Sequence, residues 1–194
     1  MSSTNRSEAR QFHISDYYIT PVNEIENFFS ALDNTATIDM DKCTLDPASG
    51  GDSENQMSYP TAITNYYSVP VENIKTIDIR EDSLAETKAD YLHTKLHYKP
   101  HVIITNPPFA RAIDFIKKAL DDVEDNGYVI MLLRLNFLET KARKEFFDTY
   151  MPEYIFVHHK RMSFVPNGKT DSVAYAHYVW HKGHYPDFAK IQVI

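Results

Sequence analysis

Residues 106–109 read Asn-Pro-Pro-Phe and follow the apolar run His-Val-Ile-Ile-Thr at 101–105. Pro107 and Pro108 have carbonyls but no N–H groups, so this segment is stiff and rich in acceptors. The Asn106 side-chain oxygen adds one more. Two acceptors held side by side match the two hydrogens of an aromatic NH2 group. Accepting both bonds draws the nitrogen lone pair out of conjugation and makes a poor nucleophile usable. Phe109 offers a face on which the ring carrying the amine stacks. No titrating base is needed before attack, because the proton leaves after the nitrogen has become cationic. A plain helix cap also explains Asn106 and Pro107, since Asn caps helices and Pro suits the first helical position. It does not explain the second proline, which holds Pro107 extended and delays the helix. Nor does it explain the aromatic ring.

An electrophile must reach that nitrogen, and Leu45-Asp-Pro-Ala-Ser-Gly-Gly-Asp52 is the candidate holder. It combines a strand end, an acidic residue and a small-residue turn that lets a cofactor approach the backbone. Asp78 ends the next strand, where a carboxylate accepts bonds from ribose hydroxyls. There is no Gly-x-x-x-x-Gly-Lys, and Asp52 would repel a pyrophosphate. A nucleoside with an amino-acid tail suits this turn better than a dinucleotide. Taken alone, the glycine turn is a weak signal; its pairing with residues 106–109 strengthens it.

With both segments in view, the chain resembles the amino-group-specific DNA adenine methyltransferases, above all their short phage-type members, over roughly residues 17–182. The resemblance implies a Rossmann-like class I methyltransferase fold of the α/β class. Its sheet is mostly parallel and seven-stranded, with an antiparallel last strand and helices on both faces. It implies S-adenosylmethionine as cofactor and methyl transfer to the exocyclic N6 amine of adenine in DNA, with the base flipped out of a duplex. Tyr18, Thr20 and Pro21 match the motif near the methionine carboxylate, and Asp46 the residue at the methionine amine. Pro47, Ala48, Ser49 and Gly50 match the turn, Asp78 the ribose ligand, and Asp90 the contact to the cofactor adenine. Asn106, Pro107, Pro108 and Phe109 match the catalytic loop, with Asn106 also beside the cofactor.

The chain departs from the family in two places. The turn ends Gly50-Gly51-Asp52 rather than Gly-x-Gly, and a large target-recognition insertion is missing. Residues 16–194 therefore read as one domain behind a flexible stretch at 1–15. Sequence readout falls to Lys160-Arg-Met-Ser-Phe164 and Gly168-Lys-Thr-Asp-Ser172, or to a homodimer mate or partner subunit; a solvated connection explains the same loop equally well. Two other functions compete with the DNA reading. The same chemistry serves an RNA adenine or a protein glutamine amide, although Phe109 stands where glutamine-modifying relatives carry tyrosine. An inactive binding module is the other class, and the presence of Asp46, Asp78 and Asn106 argues against it.

At 194 residues, 43% hydrophobic and 24% charged, the chain suits a single soluble domain. Cys43 is the only cysteine, which excludes a disulfide framework and suits a reducing cytosol. No signal peptide or span-length apolar run is present, so no membrane is expected and the expected compartment is the cytoplasm of a bacterial or phage-infected cell. The net charge of -7 is unevenly spread: residues 1–94 hold 6 Lys/Arg against 16 Asp/Glu, and residues 95–194 hold 14 against 11. A nucleic-acid face belongs on the second half, with Lys141, Arg143, Lys160, Arg161, Phe164 and Lys169 as candidates. Solvated side chains are the plainer reading of Lys141 and Arg143. Adjacent histidines such as His158 and His159 point to opposite faces of a strand, and no metal is expected.

The elements that must position these residues alternate. Strands are expected to end at 45–46 and to cover 74–79, 101–105, 128–133, 154–157 and 175–180. Helices are expected after Pro21, within 55–66, over 110–123 and over 138–149, the last with a basic outer face. Such alternation places a ligand site beyond the carboxyl ends of a parallel sheet.

Overall fold

The computed structural model describes residues 18–164 and 172–194. Eight strands form one mixed sheet: β1 (Thr44–Asp46), β2 (Ile74–Asp78), β3 (Thr87–Lys88), β4 (Val102–Thr105), β5 (Tyr128–Arg134), β6 (Tyr154–Val157), β7 (Tyr175–His181) and β8 (Lys190–Val193). Across the sheet they lie in the order β3-β2-β1-β4-β5-β7-β6-β8. The strands from β3 to β5 run parallel, while β7 runs antiparallel to both β5 and β6. All six strands expected from the sequence are present, and the sheet of seven becomes one of eight. The antiparallel strand is β7, but the last strand of the chain is β8, which pairs parallel to β6. Both unforeseen strands lack a buried apolar face: β3 is two exposed residues, and all four residues of β8 are exposed. Edge strands of this kind carry no hydrophobic periodicity to read.

Four helices cover the sheet: α1 (Val22–Asp33), α2 (Ser58–Tyr67), α3 (Ala112–Asp122) and α4 (Lys141–Phe147). Pro21 sits at the start of α1, and Ile25, Phe28, Phe29 and Leu32 recur at helical spacing on its buried face. β4 and β5 are buried on both faces, and alternation divides their side chains between two layers. Val102, Ile104, Ile130 and Leu132 pack with α1 and α2. Ile103, Val129, Met131 and Leu133 pack with α3 and α4. Each fully buried aliphatic or aromatic side chain contributes roughly 1.5–3 kcal/mol of transfer free energy, so these two layers hold the sheet flat against its helices.

Two helix starts differ from the sequence reading, and α4 ends at Phe147 rather than 149. α3 starts at Ala112 rather than 110, because Pro108 is extended and a 3-10 turn at Phe109–Arg111 intervenes. α4 starts at Lys141 rather than 138, behind a 3-10 turn at Leu135–Leu138 and a left-handed Thr140. Residues 1–15 and Lys169 lie outside the described residues. Among those described, no helix is long and apolar enough to cross a membrane.

β1 pairs with β2 on one side and with β4 on the other. The connections after β1 and β4 therefore leave the sheet on opposite sides and open a crevice at the carboxyl ends. β6 shares the direction of β5, since both oppose β7. The segments after β1, β2, β4, β5 and β6 thus emerge at one edge of the sheet.

Candidate active site

The first wall of the crevice is the turn after β1. Gly50 and Gly51 both adopt left-handed backbone, at φ of 63° and 73°. A Cβ on Gly51 would stand 2.9 Å from Met57 Cγ and 3.1 Å from Leu84, which gives this second glycine its reason. The Gly50 N–H donates to Asp78 Oδ2 and the Arg80 N–H to Asp78 Oδ1, each at 2.8 Å. Asp78 thereby clasps the β1 turn to the end of β2, and each oxygen still has accepting capacity. Asp46 is 1% exposed and accepts the Ala48 N–H at 3.2 Å. Burial pushes its carboxyl up to about 7, against the opposing pull of the Thr105 hydroxyl and the Ala48 amide, while the Asp78 charge adds to the rise.

A cleft enclosing about 920 Å³, part of it open to solvent, runs along this turn. Tyr18, Thr20, Pro47, Ala48, Ser49 and Gly50 line it, together with Asp78, Asp90, Asn106 and Pro108. Asp90 accepts the Leu92 N–H at 2.9 Å and so caps the turn Tyr91–His93. Asp46 lies beneath the turn rather than on the wall, and Pro21 serves as the cap of α1. The sequence reading missed Tyr59 and Arg80, which also line the cleft. Arg80 was findable, standing two residues past a strand-end acid. Tyr59 carried no local signal.

The loop after β4 forms the opposite wall. Asn106 Nδ2 donates to Thr20 Oγ1 at 3.1 Å. Its Oδ1 is buried and has no hydrogen-bond partner among the described residues. The Pro108 carbonyl accepts the Arg111 N–H at 2.9 Å, whereas no described residue donates to the Pro107 carbonyl. Among the described residues the Pro107 carbonyl thus keeps both lone pairs and the Pro108 carbonyl one. Asn106 caps no helix: Pro108 precedes the 3-10 turn and Arg111 precedes α3. A buried unsatisfied acceptor costs roughly 1–3 kcal/mol, which a donor on a bound molecule would recover.

No family model matches the chain, and no curated protein matches it in sequence. Solved structures do match in shape. A Listeria monocytogenes protein assigned as a class I S-adenosylmethionine-dependent methyltransferase superposes at a TM-score of 0.62 and 14% identity, over 91% of this chain and 65% of its own. A modification subunit assigned to a type I restriction enzyme of Vibrio vulnificus gives 0.59 and 14%, over 93% and 46%. A Pyrococcus horikoshii protein assigned as an RNA methyltransferase gives 0.58 and 12%, over 86% and 88%. The fold is that of the class I methyltransferases. The chain spans about two thirds of the Listeria protein and under half of the Vibrio subunit.

Phe109 is one of four aromatic side chains that form a closed circle. Its centroid is 5.7 Å from both Tyr18 and Tyr175, and Phe164 closes the circle at 5.4 Å from Tyr18 and 4.8 Å from Tyr175. Phe164 is only 7% exposed, which corrects its expected place on a nucleic-acid face: it backs Phe109 from inside the core. The Arg134 guanidinium lies over the Phe109 ring at 4.7 Å. Arg143 lies likewise over Phe137 at 4.8 Å and donates to the Asn136 carbonyl at 2.8 Å. Lys141 and Lys160 are exposed, and Arg161 donates to the Ser172 carbonyl at 2.7 Å.

Two histidines, His158 and His177, serve the core. His158 Nε2 meets His177 Nδ1 at 2.8 Å, His177 Nε2 meets the Tyr59 hydroxyl at 3.0 Å, and Glu24 stands 3.6 Å from His158 Nδ1. Burial pushes His158 down to about 4 and His177 well below its ordinary value, so both are neutral near pH 7. This chain ends on the Tyr59 ring and fixes a wall of the cleft from within.

Proposed function

We propose that the protein transfers a methyl group from S-adenosylmethionine to the exocyclic N6 amine of adenine in DNA. The observation that carries the reading is Asn106 Oδ1 at the carboxyl end of β4, buried without a hydrogen-bond partner among the described residues, none of which donates to the carbonyl of the next residue, Pro107. The residues present suit the cofactor. Gly50 lines the cleft with no side chain of its own, Asp78 and Asp90 offer acceptors for hydroxyl and amino groups, and Tyr18 and Thr20 line the same cleft. Asp46 supports the turn from below and sets a negative charge near it as the pH rises past about 7. When bound, S-adenosylmethionine supplies an electrophilic methyl group on a cationic sulfur.

The chain's own residues do the rest. Asn106 Oδ1 and the Pro107 carbonyl each accept one hydrogen of the target amine and hold its lone pair towards the cleft. Thr20 fixes the Asn106 amide through Nδ2, so the acceptor is placed before substrate arrives. Phe109, braced by Tyr18, Tyr175 and Phe164, holds the target ring at the loop. The two prolines donate nothing and so cannot compete for the amine's acceptors.

Such a loop suits any planar NH2 group, and RNA adenine and glutamine amides are the competing substrates. Incubation with labelled S-adenosylmethionine and, separately, duplex DNA, single-stranded DNA, RNA and glutamine-bearing protein tests the assignment. Label recovered as N6-methyladenine from DNA is the expected result. Label confined to RNA or protein, or absent throughout with cofactor bound, overturns it.

A further inference from the structure

A second pocket, of about 700 Å³ including its open mouth, lies on the far side of the Asn106 loop. Phe109, Ala110 and Ala112 form one wall, and Arg134, Asn136 and Arg143 stand on the others. It shares no lining residue with the cofactor-sized cleft, so residues 106–112 are the partition between the two spaces. Methyl transfer at Asn106 needs that arrangement, with donor and acceptor meeting at a common wall. The Proposed function places the target base on the Phe109 side.

The chemistry of this pocket is specific. Two guanidinium groups line it and, among the described residues, no carboxylate does. Both lie over rings, Arg134 over Phe109 and Arg143 over Phe137. Stacking and the bonds to Tyr175 and to the Asn136 carbonyl hold their planes in place. Planar guanidinium groups fixed beside an aromatic face suit a phosphate next to a base, because they bind phosphate oxygens in pairs and stack on the ring system at the same time. A glutamine side chain has no charge to offer them.

Resting on the methyltransferase reading, we propose that this pocket is a nucleotide subsite in which Arg134 and Arg143 hold the backbone phosphate adjoining the target adenine. The substrate class is therefore a phosphodiester strand, and the strand itself need not be paired for the site to hold it. Arg134 has a double position: it lies on the ring against which the base is held and reaches the same strand's phosphate.

The test uses the full chain without cofactor and reads binding by fluorescence anisotropy. The probes are two single-stranded oligodeoxynucleotides with one adenine, differing only in a neutral methylphosphonate linkage beside that adenine. Wild-type protein is expected to bind the neutral-linkage strand about tenfold or more weakly, the loss of a charge-assisted contact. Arg143→Gln and Arg134→Gln are expected to bind both strands alike, at the weaker level. The readout is a ratio within each variant, so a partly unfolded preparation does not distort it. Deoxyadenosine monophosphate as competitor separates a free nucleotide from a strand: competition as strong as the oligonucleotide's overturns the strand assignment. Equal binding of both strands by wild type, or the same ratio in wild type and both variants, overturns the phosphate site. Competition by a glutamine peptide does so as well. A methyl-transfer assay on the same strands keeps the two readings apart. Phosphate coupling without transfer refutes the methyltransferase reading alone, and transfer without coupling refutes this subsite alone.

Discussion

Asn106→Ala separates a catalytic acceptor from a structural amide, because the structure predicts a large loss of activity with almost no change in stability. The substitution deletes Oδ1, the acceptor proposed to hold the target amine. Removing one preorganised polar contact of this kind lowers turnover by a factor of about 100 to 1,000. Stability responds differently. Deleting the bond from Nδ2 to Thr20 costs about 0.5–1.5 kcal/mol, and it leaves the Thr20 hydroxyl, 1% exposed, without that partner. Deleting the unpartnered Oδ1 returns roughly 1–3 kcal/mol of desolvation. The two nearly cancel, so Asn106→Ala should unfold within about 1 kcal/mol of wild type. Asn106→Asp retains an acceptor that the Thr20 hydroxyl can orient by donating, and should keep more turnover than the alanine variant. The assay is labelled methyl transfer at saturating cofactor, run beside urea unfolding and calorimetric titration with S-adenosylmethionine. Near-normal turnover in Asn106→Ala refutes the argument. So does a stability loss of several kcal/mol, which would make the amide a structural element of the β4 end.

Two further outcomes follow from burial and backbone geometry. His158, pushed by burial from 6.5 to about 4, binds a proton only in the unfolded chain between those values. Stability should therefore fall as pH drops through that window, on the order of 3 kcal/mol from His158, with His177 acting in the same direction. Asp46, raised from 3.8 to about 7, has the opposite sign over nearly the same range, since its native form binds the extra proton. Asp46→Asn should thus steepen the acid loss seen in urea unfolding between pH 7 and 4, and an unchanged or flatter profile contradicts the two assignments. Gly51→Ala forces a left-handed φ of 73° on a residue with a Cβ and brings that carbon to 2.9 Å from Met57. It should destabilise by about 1–3 kcal/mol and weaken cofactor binding, and calorimetry showing wild-type affinity at unchanged stability would remove the turn from the site.

Much of the sheet was legible because burial leaves a periodic mark. β4 and β5 are apolar on both faces, and α1 repeats its apolar residues at helical spacing, so local sequence and tertiary role agree. β3 and β8 escaped notice for the converse reason: exposed edge strands are defined by backbone pairing with a neighbour, which leaves no side-chain pattern. The expected surface place of Phe164 failed because a basic neighbourhood does not say which way a ring turns; Tyr18 and Tyr175 supply the apolar contacts that draw it inward.

The amino-acid sequence by itself determined the α/β class, the elements at whose ends the candidate site lies, and the two loops proposed to carry its chemistry. Those follow from short-range causes, namely proline's missing donor, glycine's missing Cβ and the period of apolar residues. Tertiary structure alone decided which acceptors stay unengaged. Arg111 takes the Pro108 carbonyl and Thr20 takes the Asn106 amide nitrogen, while no described residue donates to the Pro107 carbonyl or to Asn106 Oδ1. It also brought Tyr59 to the cleft through His177, 118 residues away in sequence, and laid Arg134 over Phe109. Contacts between residues so far apart depend on where the sheet places its strand ends, and no local pattern encodes that placement.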